Sequence, residues 1–300
     1  MKGCFVFILV FLGMLGTPFI GSGLESQDVI EREASGQINW TLGTVSAKGK
    51  ALPDENETDK SQALQAAVTA AGQDARKNLV QLIKGIRIDS NTKVSEILVA
   101  SETIKSKLNE ILDALKPIVP ISHLPDGSVE VKLQMTLKGA FAQLVLPADI
   151  KQIKPIKQVN PAKSDSKSNT SDKSKATASA PIRSKPILHT GMIVDAKGLS
   201  EVKPAIVPKI IDESGQEIYG PAFVSREYAL QAGMSGYTHT LASAKADPRI
   251  KDNPLIVKGL KTKNLERSVI VVSNSDAAKL RQASEHLSFL RKCSVIIVLD

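Results

Sequence analysis

A polar stretch in the middle of the chain constrains the fold more than any other feature of the sequence. Residues 161–181 contain Pro, Ala, Lys, Ser, Asp, Asn and Thr, and no large apolar side chain. Such a segment cannot bury enough surface to offset the entropy cost of ordering it. We therefore predict a flexible linker over residues 150–186, which divides the chain into one domain at 38–147 and a second at 187–300.

The linker also carries most of the net charge. It contains nine basic and two acidic residues, which supply +7 of the net charge of +8. Because the two domains are then close to neutral, we expect no nucleic-acid-binding face. The lysines of the linker could instead bind anionic envelope polymers or lipid headgroups. The basic residues are Lys151, Lys154, Lys157, Lys163, Lys167, Lys173, Lys175, Arg183 and Lys185.

Residues 1–23 are typical of a secretory signal peptide. Lys2 precedes an apolar run at residues 5–15, and the small residues Gly21-Ser22-Gly23 follow. Signal peptides combine a charged start, about 7–15 apolar residues and small residues at the cleavage site. A retained anchor is the alternative, but a membrane-spanning helix needs about 20 apolar residues and this run is shorter. We predict cleavage after Gly23 and export to the periplasm or the periphery of the outer membrane.

Hydrophobic periodicity predicts helices packed on a sheet in the first domain. Asp59 or Thr58 is suited to cap the first helix, and Pro117 ends the second. A bulge is expected in the first strand near Gly43. The predicted elements are a strand at 38–49, helices at 58–84 and 93–115, a turn at 125–127 and a strand at 128–137. The expected apolar stripe of the first helix is Leu64, Ala67, Val68, Ala71, Ala75, Leu79, Leu82 and Ile83.

The second domain shows the same mixture of short strands and helices. A hairpin is expected at the turn 213–215. The predicted strands are 191–196, 205–212, 216–220, 255–258, 268–272 and 295–299. The predicted helices lie near 225–231, near 240–245 and after Asn274 or Ser275, the last with Leu280, Ala283, Leu287 and Leu290 inward. Both domains are therefore predicted to be α+β, with helices packed on antiparallel sheets.

No catalytic, cofactor or metal motif is present in the sequence. The four histidines, His123, His189, His239 and His286, have no His or Cys at zinc-ligand spacing. There is no Gly-x-Ser-x-Gly nucleophile motif and no phosphate-binding glycine loop. We therefore assign no catalytic, cofactor-binding or metal-binding residue, and we predict that the protein is not an enzyme.

Three carboxylates of the second domain keep a catalytic alternative open. Asp195, Asp212 and Glu217 could pair as general acid and base. Acidic residues at strand ends more often form turns and accept backbone hydrogen bonds. Cys293, at the start of an apolar strand, is interpreted as a small buried residue, with a reactive or intermolecular thiol as the alternative.

Three segments of the first domain carry a resemblance to a known family. They are the strand ending in Ala47-Lys48-Gly49, the alanine-rich helix from Ala63 to Gly85, and the strand after Leu124-Pro125-Asp126-Gly127. In these the domain resembles the N-terminal domain of flagellar assembly protein T and the related LPP-type outer-membrane lipoproteins. The chain lacks the lipid-attachment cysteine of the lipoproteins. The second domain resembles uncharacterised bacterial secreted proteins.

The resemblance implies a bacterial envelope protein with a non-catalytic role and, more finely, a link to the flagellum. Together with the signal peptide, it leads us to expect a periplasmic or outer-membrane-associated structural or assembly protein. Its expected partners are envelope or assembly proteins, and no cofactor is expected. The alternatives are a secreted hydrolase that uses the three carboxylates and a binder of anionic polymers through the linker.

Overall fold

The computed structural model describes residues 28–150, 189–282 and 286–300. The predicted signal peptide and nearly all of the predicted linker lie outside these residues. None of the helices formed by the described residues combines the length and the apolar composition of a membrane span.

The N-terminal unit is an antiparallel sheet covered by helices. Its elements are β1 (Ile30–Glu33), β2 (Gly36–Asn39), β3 (Thr44–Ala51), α1 (Lys60–Gly85), α2 (Val94–Ala100), α3 (Glu102–Asp113), β4 (Ile118–His123), β5 (Val129–Thr136) and α4 (Ala140–Val145). The five strands lie in the order β1-β2-β3-β5-β4. In β5 the residues of one face are buried while their neighbours are partly or fully exposed, as its alternating sequence predicts.

The long helix α1 forms as predicted. The Asp59 carboxylate accepts hydrogen bonds from the backbone nitrogens of Ser61 at 2.9 Å and Gln62 at 3.2 Å, which caps the helix start. Leu64, expected in the buried stripe, is 38% exposed, and Ala63 is buried instead. In the first turns of α1 the buried residues are spaced by four positions, so the stripe that faces the sheet includes Ala63 and not Leu64. The buried residues are Ala63, Ala67, Ala71, Ala75, Leu79, Leu82 and Ile83.

Two predicted elements of this unit are each divided in the structure. The helix expected at 93–115 is broken at Ser101, which has an extended backbone and whose hydroxyl accepts the Ile104 amide at 3.3 Å to start α3. The strand expected at 38–49 is β2 and β3, joined by a turn in which Gly43 has a φ of 67°. A capping serine and a glycine in the left-handed region therefore override apolar patterns that continue across them.

The C-terminal unit is a mixed sheet of seven strands. Its elements are β6 (Gly191–Asp195), β7 (Lys209–Asp212), β8 (Glu217–Tyr219), a short 3-10 helix (Pro221–Phe223), α5 (Arg226–Ala232), β9 (Gly236–Thr238), α6 (Leu241–Ala246), β10 (Pro254–Lys263), β11 (Glu266–Val272), α7 (Asn274–Gln282), α8 (His286–Arg291) and β12 (Val295–Val298). The strand order is β8-β7-β11-β10-β6-β12-β9. The α+β class is confirmed.

This sheet contains more parallel pairing than the sequence indicates. Strand β6 is parallel to β10 and β12, β12 is parallel to β9, and β7 is parallel to β11. Antiparallel pairs join β10 to β11 and β7 to β8. The strand expected at 205–212 forms only in its second half, and β9 has no counterpart among the predicted strands. The predicted last helix corresponds to α7 and α8, and the Ser273 hydroxyl accepts the Asp276 amide at its start. Residues 283–285 between them lie outside the described residues, and so do the side chains of the predicted inward positions Ala283 and Leu287.

The two units pack directly against each other. The Ile206 amide donates to the Arg87 carbonyl at 3.1 Å, and the Val207 amide donates to the Ile88 carbonyl at 2.7 Å. Buried side chains from both units belong to one continuous hydrophobic cluster. The linker composition predicts the division of the chain into two parts, but it does not indicate that the two parts share a core.

Candidate functional site

Asp195 lies at the end of β6, where its carboxylate is held by neighbouring groups. One oxygen accepts a hydrogen bond from the Lys258 ammonium at 3.1 Å, and the other accepts the Lys197 amide at 3.2 Å. The Lys258 side chain is 54% exposed, so this ion pair is largely solvated. These contacts stabilise the strand end.

Asp212 has a structural environment at the turn between β7 and β8. It is only 2% exposed. One carboxylate oxygen accepts the amides of Ser214 and Gln216, each at 2.9 Å, and the other accepts the Arg281 guanidinium at 2.6 Å. The hydrogen bond from Arg281 lowers the pKa of Asp212, although burial opposes the shift. The ionised carboxylate therefore fixes the hairpin turn and joins it to α7.

Glu217 is the unusual carboxylate of the three. Its Oε1 atom is buried and has no hydrogen-bond partner among the described residues. Burial raises the pKa of Glu217, and the nearby Lys209 charge opposes the shift in part. The carboxyl group folds back over Gly220, where an added Cβ would overlap Oε1. Gly220 therefore makes room for this side chain.

The sheet keeps Asp195 and Asp212 apart. Asp195 lies beside Lys258 in the pairing of β6 with β10. The next residue, Gly259, lies beside Val272, which lies beside Asp212. Because successive side chains of a strand point to opposite faces, the two carboxylates lie on opposite faces, three strand spacings or roughly 14 Å apart. Paired catalytic carboxylates of glycosidases are about 5 to 9.5 Å apart, so these two cannot act together in that way.

Cys293 is buried, and burial raises its pKa to about 12. A thiol with such a pKa is not ionised at neutral pH and is a poor nucleophile. Among the described residues, no three His, Cys, Asp or Glu side chains are grouped closely enough to hold a metal ion.

An aromatic and cationic cluster holds the two units together. The Trp40 and Tyr237 rings meet edge to face with centroids 5.9 Å apart. The Arg87 guanidinium lies 5.8 Å from the Trp40 ring centroid, and its Nε donates to the Pro204 carbonyl at 2.9 Å. The Tyr237 hydroxyl donates to the Ala205 carbonyl at 2.7 Å and accepts the Ala205 amide at 3.0 Å. Residues of each unit therefore complete the polar contacts of the other.

A cleft of about 580 Å³ opens beside this cluster, and we call it the junction cleft. Its volume is in the range of small-molecule sites. Its lining is strongly charged and comes from both units. The basic residues are Arg32, Arg87, Lys93, Lys203 and Arg267, and the acidic residues are Glu31, Glu33, Asp89 and Glu96. Sequence reasoning missed this site because its residues come from four separate segments, none of which carries a motif.

One comparison with known proteins bears on the C-terminal unit. Residues 191–300 match a family model described as the second domain of Treponema pallidum Tp0624. The expected likeness of this unit to a bacterial domain is thereby confirmed. No curated protein matches the chain. The likeness of the N-terminal unit to flagellar assembly proteins stays a prediction.

Proposed function

We propose that the protein is a non-catalytic structural or assembly protein of the bacterial cell envelope, exported to the periplasm or the periphery of the outer membrane. The observation that carries this proposal is the environment of Asp195 and Asp212. Asp195 accepts one backbone amide and a lysine, Asp212 accepts two backbone amides and an arginine, and the two carboxylates lie on opposite faces of the sheet. The match to a bacterial domain and the signal-like N-terminus support the envelope assignment.

A link to the flagellum is the finer part of the proposal. It rests on the resemblance of the N-terminal domain, and the alanine face of α1 against β3 is compatible with it. The partners are proposed to be envelope or assembly proteins. The expected binding of anionic polymers through the basic linker concerns residues outside the described part of the chain.

A secreted hydrolase is the second candidate because of one specific observation. The pKa of Asp212 is lowered while the pKa of Glu217, on the paired strand, is raised. Opposite shifts in neighbouring carboxyl groups are typical of acid and base pairs. Asp212 also holds the hairpin turn, and the carboxyl group of Glu217 lies over Gly220. The two pKa shifts therefore have a structural origin as well.

The variants Asp212→Asn and Glu217→Gln separate these two functions. If Asp212 is structural, its variant should lose the Arg281 contact and melt at a clearly lower temperature, on the order of 5 °C, with recovery of envelope partners retained. Asp195→Asn is the matched control, because it removes a largely solvated ion pair and should change the melting temperature little.

The measurement combines thermal melts, a screen for peptide, ester and glycan hydrolysis, and affinity recovery of the tagged protein from the envelope. A general acid or base contributes about 10² to 10⁴ in rate. Turnover by the parent that disappears in a stably folded Glu217→Gln or Asp212→Asn variant would therefore overturn the non-catalytic proposal. Recovery of the unprocessed chain from the cytoplasm would overturn the localisation.

A further inference from the structure

We propose that the junction cleft is a binding site for an oxyanion ligand that carries at least two negative charges, as phosphate or carboxylate groups. This inference concerns the docked units and does not rest on the envelope function proposed above. The site belongs to neither unit alone, because its basic side chains come from β1, the segment before α2, the segment after β6, and β11.

The charge pairing inside the cleft leaves an excess of cations. Among the described residues, Arg87 forms an ion pair with Glu31. The other four basic residues of the lining form no ion pair with a described carboxylate. Three carboxylates share the lining with them, but these four cations are not held in ion pairs, so their side chains are available to an anion that contacts several of them at once. The four unpaired residues are Arg32, Lys93, Lys203 and Arg267.

Most of the acidic residues of the lining are already engaged. Asp89 accepts the amides of Asn91 at 2.8 Å and Thr92 at 2.9 Å, which shapes the loop before α2. Glu96 accepts the amide of Lys93 at 3.2 Å and closes the first turn of α2. Glu33 is the acidic residue of the lining that makes no comparable contact with a described residue. These amide contacts orient the two carboxylates but leave their charge in place, so the five basic and four acidic residues give the lining a net charge of +1. The charged groups of the lining that lack a described side-chain partner are the four cations and Glu33.

The residue types of the cleft suit an oxyanion. An arginine presents two parallel N–H groups that match the oxygens of a phosphate or a carboxylate. Arg32 and Arg267 are the two unpaired arginines, and each comes from a different unit. Ser90 and Ser268 add hydroxyl groups, which contact each other across the two units at 2.7 Å. A ligand held between the arginines therefore contacts both units.

The test uses the full chain, with pyrophosphate and citrate as separate probes of phosphate and carboxylate binding. Calorimetry gives the Kd, and fluorescence reports whether the junction responds. Trp40 is the single tryptophan of the chain, and Arg87 of the cleft lies over its ring. We expect at least one probe to bind and to change the Trp40 emission.

Variants that remove positive charges and a variant that removes a negative charge make the test specific. The double variant Arg32→Gln/Arg267→Gln should raise the Kd about tenfold or more, because each side chain offers a charge-assisted hydrogen bond. The double variant Lys154→Gln/Lys157→Gln removes the same charge from the linker and should leave the Kd within about twofold. Glu33→Gln should tighten binding, whereas it would weaken the binding of a cation.

The comparison of the two probes identifies the ligand chemistry. Tighter binding of pyrophosphate points to a phosphate ligand, and tighter binding of citrate points to a carboxylate ligand. The proposal fails if neither probe binds, if the arginine and lysine double variants lose affinity equally, or if Trp40 emission is unchanged while the probe binds. None of these results depends on envelope partners or on turnover, so the function proposed above is tested separately.

Discussion

Two regions of the core are packed in different ways, the contact of α1 with β3 and the sheet of the C-terminal unit. In the N-terminal unit, α1 contacts the sheet through Ala67, Ala71 and Ala75, and the backbone of β3 at Gly49 approaches the helix so closely that no Cβ fits. In the C-terminal unit the largest fully buried side chains include Tyr219, Met192 and Ile210. The contact of α1 with β3 depends on the close approach of two backbones, whereas the C-terminal sheet is packed by large side chains. Large side chains such as Phe141 and Ile88 also fill the rest of the N-terminal unit. A substitution that adds one carbon should therefore be most harmful at the contact of α1 with β3.

The largest effect is expected from Gly49→Ala. An added Cβ at Gly49 would overlap the backbone nitrogen of Ala75 and the carbonyl oxygen of Ala71. Backbone atoms cannot rotate away, so the helix must shift. We expect the free energy of unfolding to fall by about 3 kcal/mol or more, measured by urea denaturation.

Gly72→Ala is the matched control for this prediction. Gly72 lies in α1, and an added Cβ there meets nothing within 4 Å. Since alanine favours helix more than glycine does, this variant should be more stable than the parent by about 0.5–1 kcal/mol. If Gly49→Ala is as stable as the parent, then α1 and β3 do not approach each other as closely as the surroundings of Gly49 indicate.

The second effect concerns the junction between the units. Tyr237→Phe removes the hydroxyl that donates to the Ala205 carbonyl and accepts its amide, and leaves both backbone groups buried without that partner. We expect the free energy of unfolding to fall by about 2 kcal/mol. Trp40 emission should shift as well, because the Tyr237 ring lies against the Trp40 ring.

Tyr228→Phe provides the comparison for the junction variant. Tyr228 is 38% exposed on α5. The loss of its hydroxyl should change the free energy of unfolding by less than about 0.5 kcal/mol. Equal effects of the two tyrosine variants would mean that the Tyr237 hydroxyl does not hold the units together.

The contrast between the units also explains how far the sequence predicts the fold. Helix α1 has a capping aspartate and a long stripe of alanines, so local chemistry is sufficient to place it. The parallel pairs of the second sheet join strands that are distant in the sequence, such as β6 with β12, and periodicity contains no information about such partners. Strand β9 is three residues long and carries no alternation to recognise.

The candidate site was less predictable than the fold for the same reason. The environments of Asp195 and Asp212 agree with the interpretation of acidic residues at strand ends as turn and backbone partners. The junction cleft requires the docked arrangement, since Arg32 and Arg267 are more than two hundred residues apart in the sequence. To predict the cleft, the sequence would have to indicate that Arg87 contacts the segment 204–207. Isolated charged residues and prolines do not indicate such a contact.

The smallest effect is expected from Glu217→Gln in the partly buried first position of β8. A raised carboxyl pKa means that the folded state binds a proton more tightly than the unfolded state does. Stability should therefore decrease as the pH rises from the usual glutamate range through the raised pKa. Glutamine removes the buried charge, so the variant should melt about 1–2 °C above the parent at pH 7, and this advantage should vanish near pH 4.

Glu110→Gln, on the exposed face of α3, changes the same functional group without burial and should show no such pH-dependent gain. If Glu217→Gln instead melts below the parent at pH 7, then the ionised carboxylate stabilises the fold, which contradicts the burial of its charge beside Gly220.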